Sequence, residues 1–398
     1  MSAPARTVPG MLRELETKAL FAGAALVLFS MAWGLLFRGA TFFRGYLVSY
    51  FFWLAPTLGA MGWLMIHHLS GGGWGYVIRR PLEAAAKTVP LMAVLFLPIL
   101  FGMHHIYEWA TPEAAHDPVL QSKAAYLNPL GFAVRAVVYF IIWGVLAWRL
   151  IEASRAQDEE PGPAASARLR RLSGPGIVIY VLSFTFAAVD WGMSLEPHWF
   201  SSIYGAIFAV GQGLSTMALA IVATAWLAGR RPLDQELTVR RLHDLGKLLF
   251  AFTVLWAYLN VSQLIIIWSA NLPEEITWYL RRSQGGWKQF AFLVVALQFV
   301  IPFFVLLSRH TKRNVRLLVP MCAVILVARY FDLYLWLAPP FSAVPAFRPH
   351  LVDLTAFAGI GGLWLAWFCR MLRGLPLIAL GDASFSPAAQ VKEAPAHG

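Results

Sequence analysis

The sequence predicts an all-α integral membrane protein with ten transmembrane helices, and two observations support this prediction. Only 13% of the 398 residues are charged and 59% are hydrophobic, whereas soluble globular proteins carry about 25% charged residues. Apolar runs of the length that crosses a bilayer, about 20 residues, recur along the whole chain. We therefore treat residues 1–398 as a single polytopic membrane domain.

Ten apolar runs give the predicted spans, and two polar segments lie outside them. The first run is too long for a signal-peptide core and lacks a clear small-residue cleavage site, so we expect a retained helix. Residues 152–173 are predicted to form a solvated linker and residues 374–398 a Pro/Ala-rich tail. The predicted spans are residues 18–37, 47–67, 88–106, 130–150, 175–194, 203–228, 247–270, 287–308, 315–338 and 352–372.

The distribution of Lys and Arg predicts the orientation. With a cytoplasmic N-terminus, the inner segments hold 23 of the 32 basic residues and the outer loops hold seven. Basic residues collect in short cytoplasmic loops, so both termini, the linker and the tail are predicted to be cytoplasmic. The same bias explains the net charge of +11 without a nucleic-acid partner.

The sequence predicts no cofactor bound by this chain. Cys322 and Cys369 lie inside apolar runs and lack the CxxC or Cys/His spacing of metal sites. Haem b needs two histidines that face each other at one depth. The pair His67 and His68 and the pair His104 and His105 lie at opposite membrane faces.

Two arginine-rich segments have matching sequences. Arg79-Arg80-Pro81-Leu82-Glu83 follows the second predicted span, and Arg230-Arg231-Pro232-Leu233-Asp234 follows the sixth. Both are predicted to be cytoplasmic loops, four spans apart. A duplicated four-helix unit in parallel orientation would produce this spacing, as would a chance match, and we carry two four-helix bundles with flanking helices as a hypothesis.

Residues 190–204 join two apolar runs, yet they contain two carboxylates, a histidine and two tryptophans. A tight turn between spans needs only small or turn-forming residues. We interpret this connection as functional, with a simple interfacial turn as the alternative.

Ionisable residues in a membrane are costly and indicate function by default. Most of those near spans lie toward the predicted outer face, where they come from five helices. Arg329 and Asp332 lie three residues apart on one helix face, so a structural ion pair is their alternative role, and the histidines have interfacial anchoring as theirs. The candidates for a proton path are Asp190, Glu196, His198, Arg329, Asp332, His104, His105 and Asp353 at the outer face, and His67, His68 and Lys247 at the inner face.

Four stretches resemble a known family across nearly all ten predicted helices. They are AVDWGMSLEPHWFSSIYG at residues 188–205, YFFWLAP at 50–56, NLPEEITWY at 271–279 and DLY at 332–334. These motifs resemble the F subunits of bacterial alternative complex III, which are similar to the C subunits of that complex. Both belong to the polysulfide-reductase-like (NrfD-like) membrane subunits.

The resemblance implies a multi-pass subunit of a quinol:electron-acceptor oxidoreductase in the bacterial inner (cytoplasmic) membrane. Its implied fold is two four-helix bundles with flanking helices. The implied partners are the NrfD-like C subunit, a periplasmic iron–sulfur subunit, multihaem cytochrome c subunits, other small membrane subunits and the lipid bilayer. Quinol, iron–sulfur clusters and c-type haems would belong to the other subunits, and the F-type subunit would act as scaffold and proton path.

Two alternatives remain open. One is a quinone-binding redox subunit in its own right, which requires an apolar pocket near the outer polar residues. The other is a secondary transporter, which parallel repeats allow. Interrupted helices at the middle of the membrane, which many transporters have, are not evident in the sequence.

Overall fold

The computed structural model describes residues 8–37, 39–231, 233–342, 346–379 and 381, which form helices and turns without a strand. Ten segments are long and apolar enough to cross a membrane, which confirms the predicted number of spans. The α-helices are α1 (Val8–Phe37), α2 (Gly39–Ser70), α3 (Gly73–Ala86), α4 (Val89–Leu95), α5 (Leu97–Phe101), α6 (Met103–Ile106), α7 (Pro118–Lys123), α8 (Pro129–Glu159), α9 (Pro163–Trp191), α10 (Tyr204–Leu227), α11 (Leu233–Glu236), α12 (Val239–Ala270), α13 (Pro273–Arg282), α14 (Trp287–Val295), α15 (Ile301–Leu307), α16 (Arg309–Arg313), α17 (Val315–Leu337) and α18 (Leu351–Arg373). The ten candidate spans are α1, α2, α3 to α5, α8, α9, α10, α12, α14 to α15, α17 and α18.

Several helices are longer than the apolar runs that predicted them. At 1.5 Å per residue a helix of 30 residues is about 45 Å long, which exceeds the ~30 Å hydrocarbon layer. The predicted linker at 152–173 is therefore mostly helical, because α8 continues to Glu159 and α9 begins at Pro163. Only residues 160–162 of it lie outside a helix. A polar sequence continues a helix beyond the apolar layer, and a count of apolar residues does not detect this.

Two spans are interrupted, which the sequence did not predict. The third breaks at Lys87–Thr88 and again at Phe96, where Pro90 and Pro98 start new helices without an N–H to bond the preceding turn. Two tyrosines of α2 donate to carbonyls of this broken span, Tyr46 to Leu95 at 2.7 Å and Tyr50 to Met92 at 3.0 Å.

The eighth span contains a π turn at Ala296–Val300. Gln298 lies within this turn and is fully buried. Neither polar atom of its amide has a hydrogen-bond partner among the described residues. The eighth span therefore departs from a regular α-helix at a buried polar residue.

The spans form two groups. In the first, α2 contacts α3 and α9, α9 contacts α8, and α8 contacts α4. In the second, α10 contacts α12 and α17, α12 contacts α15, and α17 contacts α14. Helices α2 and α10 pack against each other between the groups, while α1 packs along α18, which also contacts α2. Spans two to five and spans six to nine thus have the same order of neighbours.

The two arginine-rich segments differ in structure. Arg79, Arg80 and Glu83 lie in α3 and are buried, so the prediction of a loop is wrong for this segment. Arg230 and Arg231 lie in the turn after α10, where the Arg231 side chain is 85% exposed. Their sequence match therefore does not reflect a matched environment.

The chain after α18 returns to the end of α8. Ile378 and Ala379 are buried, and the Gly381 amide donates to Asp158 at 3.3 Å. The remainder of the predicted tail, residues 382–398, lies outside the described residues, as does Pro232 of the second arginine-rich segment.

Candidate functional site

The buried carboxylates lie mainly at one end of the helices, which we call the Asp190 end. It carries the connection after α9 and the starts of α8 and α18. We call the opposite end, where α3 begins and α8 ends, the Glu83 end. Asp190, Asp332 and Asp353 at the first end are each at most 3% exposed.

Asp190 joins α9 to α8. Its carboxylate accepts hydrogen bonds from Arg135 at 2.8 and 3.1 Å and from the Tyr139 hydroxyl at 2.7 Å. The Arg135 guanidinium lies over the Tyr126 ring, and its side chain is 22% exposed. Burial and the nearby Asp190 raise the pKa of Tyr126 to about 12. Arg135 and the Tyr139 hydroxyl thus satisfy both oxygens of the Asp190 carboxylate, in the forked geometry typical of a strong arginine–carboxylate pair.

Arg329 and Asp332 form the predicted ion pair within α17, and both side chains are 1% exposed. The Trp256 indole of α12 donates to the same carboxylate at 3.0 Å. Gly211 of α10 provides the room for the guanidinium, since a Cβ there would lie 2.2 Å from the guanidinium carbon. The pair is thus enclosed by protein on several sides.

Glu196 fixes the connection after α9 to α13. It accepts from Arg282 at 2.8 Å and lies 3.4 Å from Arg281. Arg282 also donates to the carbonyls of Leu335 and Trp336 at the end of α17. Burial lowers the pKa of Arg282, against the opposing effect of Glu196. This arrangement makes Glu196 a positioning group for the loop.

Asp353 joins the start of α18 to α2 and α17. It accepts from Arg44 at 2.8 Å, from Tyr334 at 3.1 Å and from the His350 amide at 2.8 Å. The contact to His350 is half of a capping box, which also anchors the helix start.

The four carboxylates of the Asp190 end do not share an arginine. The Asp190, Glu196, Asp332 and Asp353 carboxylates each have their own arginine. The structure places these predicted residues at one end of the helices, each paired with a different arginine, and their role in a proton path stays a prediction. Each carboxylate is neutralised locally, because a buried charge is stable only when paired.

The histidines of the Asp190 end are more exposed than these carboxylates. His198 is about half exposed and lies 3.1 Å from Asp117. His104 and His105 are exposed neighbours. Partial desolvation, and to a lesser extent the charge of His104, lower the pKa of His105. No group of three or more His, Cys, Asp or Glu that could hold a metal ion occurs in the described part of the chain.

At the Glu83 end the predicted candidates differ from one another. His67 is buried beside Trp74, and His68 lies 3.2 Å from Ser173. Lys247 is 56% exposed and pairs with Asp244 at 2.9 Å. Lys247 is therefore a solvated surface residue in this structure.

Sequence reasoning missed the buried ion network of the Glu83 end. Glu83 accepts from Arg79 at 3.1 Å and from Arg80 at 2.6 Å, and Arg80 also pairs with Asp158 of α8. Ser154 donates to Glu83. The i,i+4 spacing of Arg79 and Glu83 is the signal that could have indicated a helix here.

Buried hydroxyls and amides lie between the two ends. Thr57 and Thr88 share a hydrogen bond of 2.6 Å, and the Tyr180 hydroxyl donates to Gln212 at 2.7 Å. Tyr180 and Asp190 are ten residues apart on α9, about 15 Å along the helix. A proton path along these groups therefore needs water molecules between them.

A cavity of about 840 Å³ lies among α12, α13, α14 and α17. Its lining is mainly apolar, and its polar members include Asp332, Trp256, Asn260, Arg282 and Lys288. Pockets for small molecules have this size and this mixture of an apolar wall with a few polar groups.

A scan against protein-family models finds no match for this chain, and a search of curated proteins finds none either. The helices and the site geometry are therefore the basis for a functional conclusion.

Proposed function

We propose that this chain is an integral membrane subunit of a quinol-oxidising respiratory complex, acting as a scaffold and a proton path. The observation that carries the proposal is the presence of buried carboxylates at both ends of the helices. Asp190, Asp332 and Asp353 lie at one end and Glu83 at the other, with buried hydroxyls and amides between them. Buried carboxylates beside cations are suited to holding and passing protons.

The grouping of the spans supports the fold expected for a polysulfide-reductase-like subunit. Spans two to five and six to nine share one order of neighbours, and α1 and α18 flank them. Two four-helix bundles with flanking helices would give this pattern. In the proposal both termini face the cytoplasm of a bacterium, and the Asp190 end faces periplasmic iron–sulfur and cytochrome c partners.

The test uses amide variants in the assembled complex. Asp190→Asn and Asp332→Asn remove the titratable carboxylate with little change in size, and the amide oxygen can still accept a hydrogen bond from the arginine, which a leucine cannot do. We expect fewer protons released per electron, measured in vesicles during quinol oxidation, with the subunit composition unchanged. Glu274→Gln, an exposed carboxylate of the same end, is the matched control. If the number of protons released per electron is unchanged in both aspartate variants, the chain is a scaffold without a proton path through them. If the chain purifies without redox partners, its assignment to a quinol-oxidising complex is wrong.

The cavity beside Asp332 favours a second candidate, a quinone-binding subunit in its own right. Its apolar wall suits an isoprenoid tail, and Asp332 and Asn260 suit the ring oxygens. Ala291→Phe would fill the cavity from α14, and we expect it to raise the KM for quinol. If the KM is unchanged while bound quinone persists, the quinone lies elsewhere.

A further inference from the structure

A second cavity, of about 540 Å³, lies at the interruption of the third span, between α3, α4, α8 and α18. Lys87 and Arg155 both line it, together with Glu152. Trp148 and Trp367 form part of its wall, and Gly144 opens it on the side of α8. The remaining wall is aliphatic. None of these residues belongs to the carboxylate networks described above.

The cavity carries an excess of positive charge. Neither the Lys87 ammonium nor the Arg155 guanidinium forms an ion pair or a side-chain hydrogen bond in the described structure. Arg155 and Arg80 repel the Lys87 ammonium, and the buried Glu83 attracts it less strongly than Arg155 repels it. Glu152 is exposed and pairs with neither cation. The lining thus holds two cations, of which Arg155 is exposed, and one carboxylate that neutralises neither, and this excess of positive charge favours an anion there.

The cavity lies at the level of lipid headgroups. The predicted apolar part of α8 ends near residue 150, between Trp148 and Arg155. Trp148 is exposed, and the Trp367 indole donates to the Lys87 carbonyl at 3.1 Å. Tryptophans concentrate at the membrane–water boundary, where cationic side chains extend toward the headgroups.

An apolar surface leads from the cavity toward the middle of the membrane. Ile141 and Val145 on α8 are exposed, as is Val94 on α4. An acyl chain would fit this surface, whereas a free phosphate would leave it without a partner. Basic pockets between transmembrane helices bind anionic lipid headgroups in this way.

We propose that this cavity binds an anionic phospholipid, with Lys87 and Arg155 contacting the phosphate and an acyl chain lying along α8. The lipid would cover the break in the third span and join α4 to α8. This site is independent of the proton path and of the cavity beside Asp332.

The test measures lipid retention by the full chain purified in detergent. The protein is exposed to an equal mixture of phosphatidylglycerol and phosphatidylcholine, and bound lipid is counted by native mass spectrometry. We expect selective retention of phosphatidylglycerol. The double variant Lys87→Gln with Arg155→Gln should weaken phosphatidylglycerol binding on the order of 30-fold. The reason is that each cation near a membrane surface contributes a similar part of the attraction to an anionic lipid.

Two further variants separate this site from general surface charge. Arg168→Gln with Arg171→Gln removes the same charge from exposed positions of α9 and should retain the lipid. Gly144→Leu keeps both cations and fills the cavity, and the added Cβ meets no described atom within 4 Å apart from its chain neighbours and the adjacent turns of its own helix. It should release the lipid while the circular dichroism spectrum stays unchanged.

Three results would overturn the proposal. One is equal retention of the two lipids by the unmodified chain. The second is an equal loss in the α9 control variant. The third is displacement by millimolar inorganic phosphate with normal binding in Gly144→Leu, which would assign the cations to free phosphate.

Discussion

Asp190 and Asp332 occupy similar places in the two groups of spans but are neutralised differently. Each lies near the end of the last helix of its group, and each accepts a hydrogen bond from an aromatic side chain, Tyr139 or Trp256. The arginine of Asp190 comes from a neighbouring helix and is 22% exposed. That of Asp332 comes from its own helix and is 1% exposed.

The two ion pairs therefore have different structural roles. The pair of Arg135 with Asp190 ties α8 to α9 and keeps one partner in contact with the surroundings. The pair of Arg329 with Asp332 joins no two helices, and it carries the full cost of burial. Asp332 of the buried pair lines the cavity beside α12. A ligand in that cavity would therefore change the environment of this pair more than that of Arg135 and Asp190.

The largest expected effect is that of removing one member of the buried pair. Asp332→Leu leaves Arg329 buried and uncompensated, and should lower the free energy of unfolding by about 3–5 kcal/mol. Asp190→Leu should cost less, because Arg135 can turn toward the surroundings. Unfolding in detergent micelles measures both. Arg329→Met with Asp332→Leu should recover much of the loss, and equal costs for the two single variants would contradict the contrast.

A smaller effect is expected from filling the space beside each guanidinium. Gly211→Ala places a Cβ 2.2 Å from the Arg329 guanidinium carbon and should cost about 1–3 kcal/mol through overpacking. Gly131→Ala places a Cβ 3.0 Å from the Arg135 guanidinium and 3.0 Å from the Asn128 amide oxygen, which are both ends of side chains that can move. Thermal unfolding of the two variants should therefore differ, and a similar loss in both would indicate that Arg135 is as confined as Arg329.

The smallest effects are expected from the aromatic donors. Tyr139→Phe leaves Asp190 with both hydrogen bonds from Arg135 and should cost about 1 kcal/mol. Trp256→Phe should cost somewhat more, because it also removes ring volume beside the cavity. Denaturant titration compares them, and a larger loss for Tyr139→Phe would mean that the hydroxyl is the main partner of Asp190.

The sequence predicts the spans better than the networks between them. Ten apolar runs correspond to the ten spans of the structure, and the spacing of Arg329 and Asp332 already predicts a contact within one helix. The pairing of Asp190 with Arg135 depends on which helices are neighbours, which apolar runs do not specify. The burial of Arg79 and Glu83 depends on α3, a helix that ends before the predicted apolar run begins, so hydropathy assigns them to a loop.

The π turn of the eighth span has a consequence for comparing this chain with others. A π turn holds one residue more than an α turn, and each residue rotates an α-helix by about 100°. Residues after Val300 are therefore out of phase with those before Ala296, so no single helical period fits the span. An alignment to an uninterrupted apolar helix needs a one-residue gap at this turn, beside Gln298.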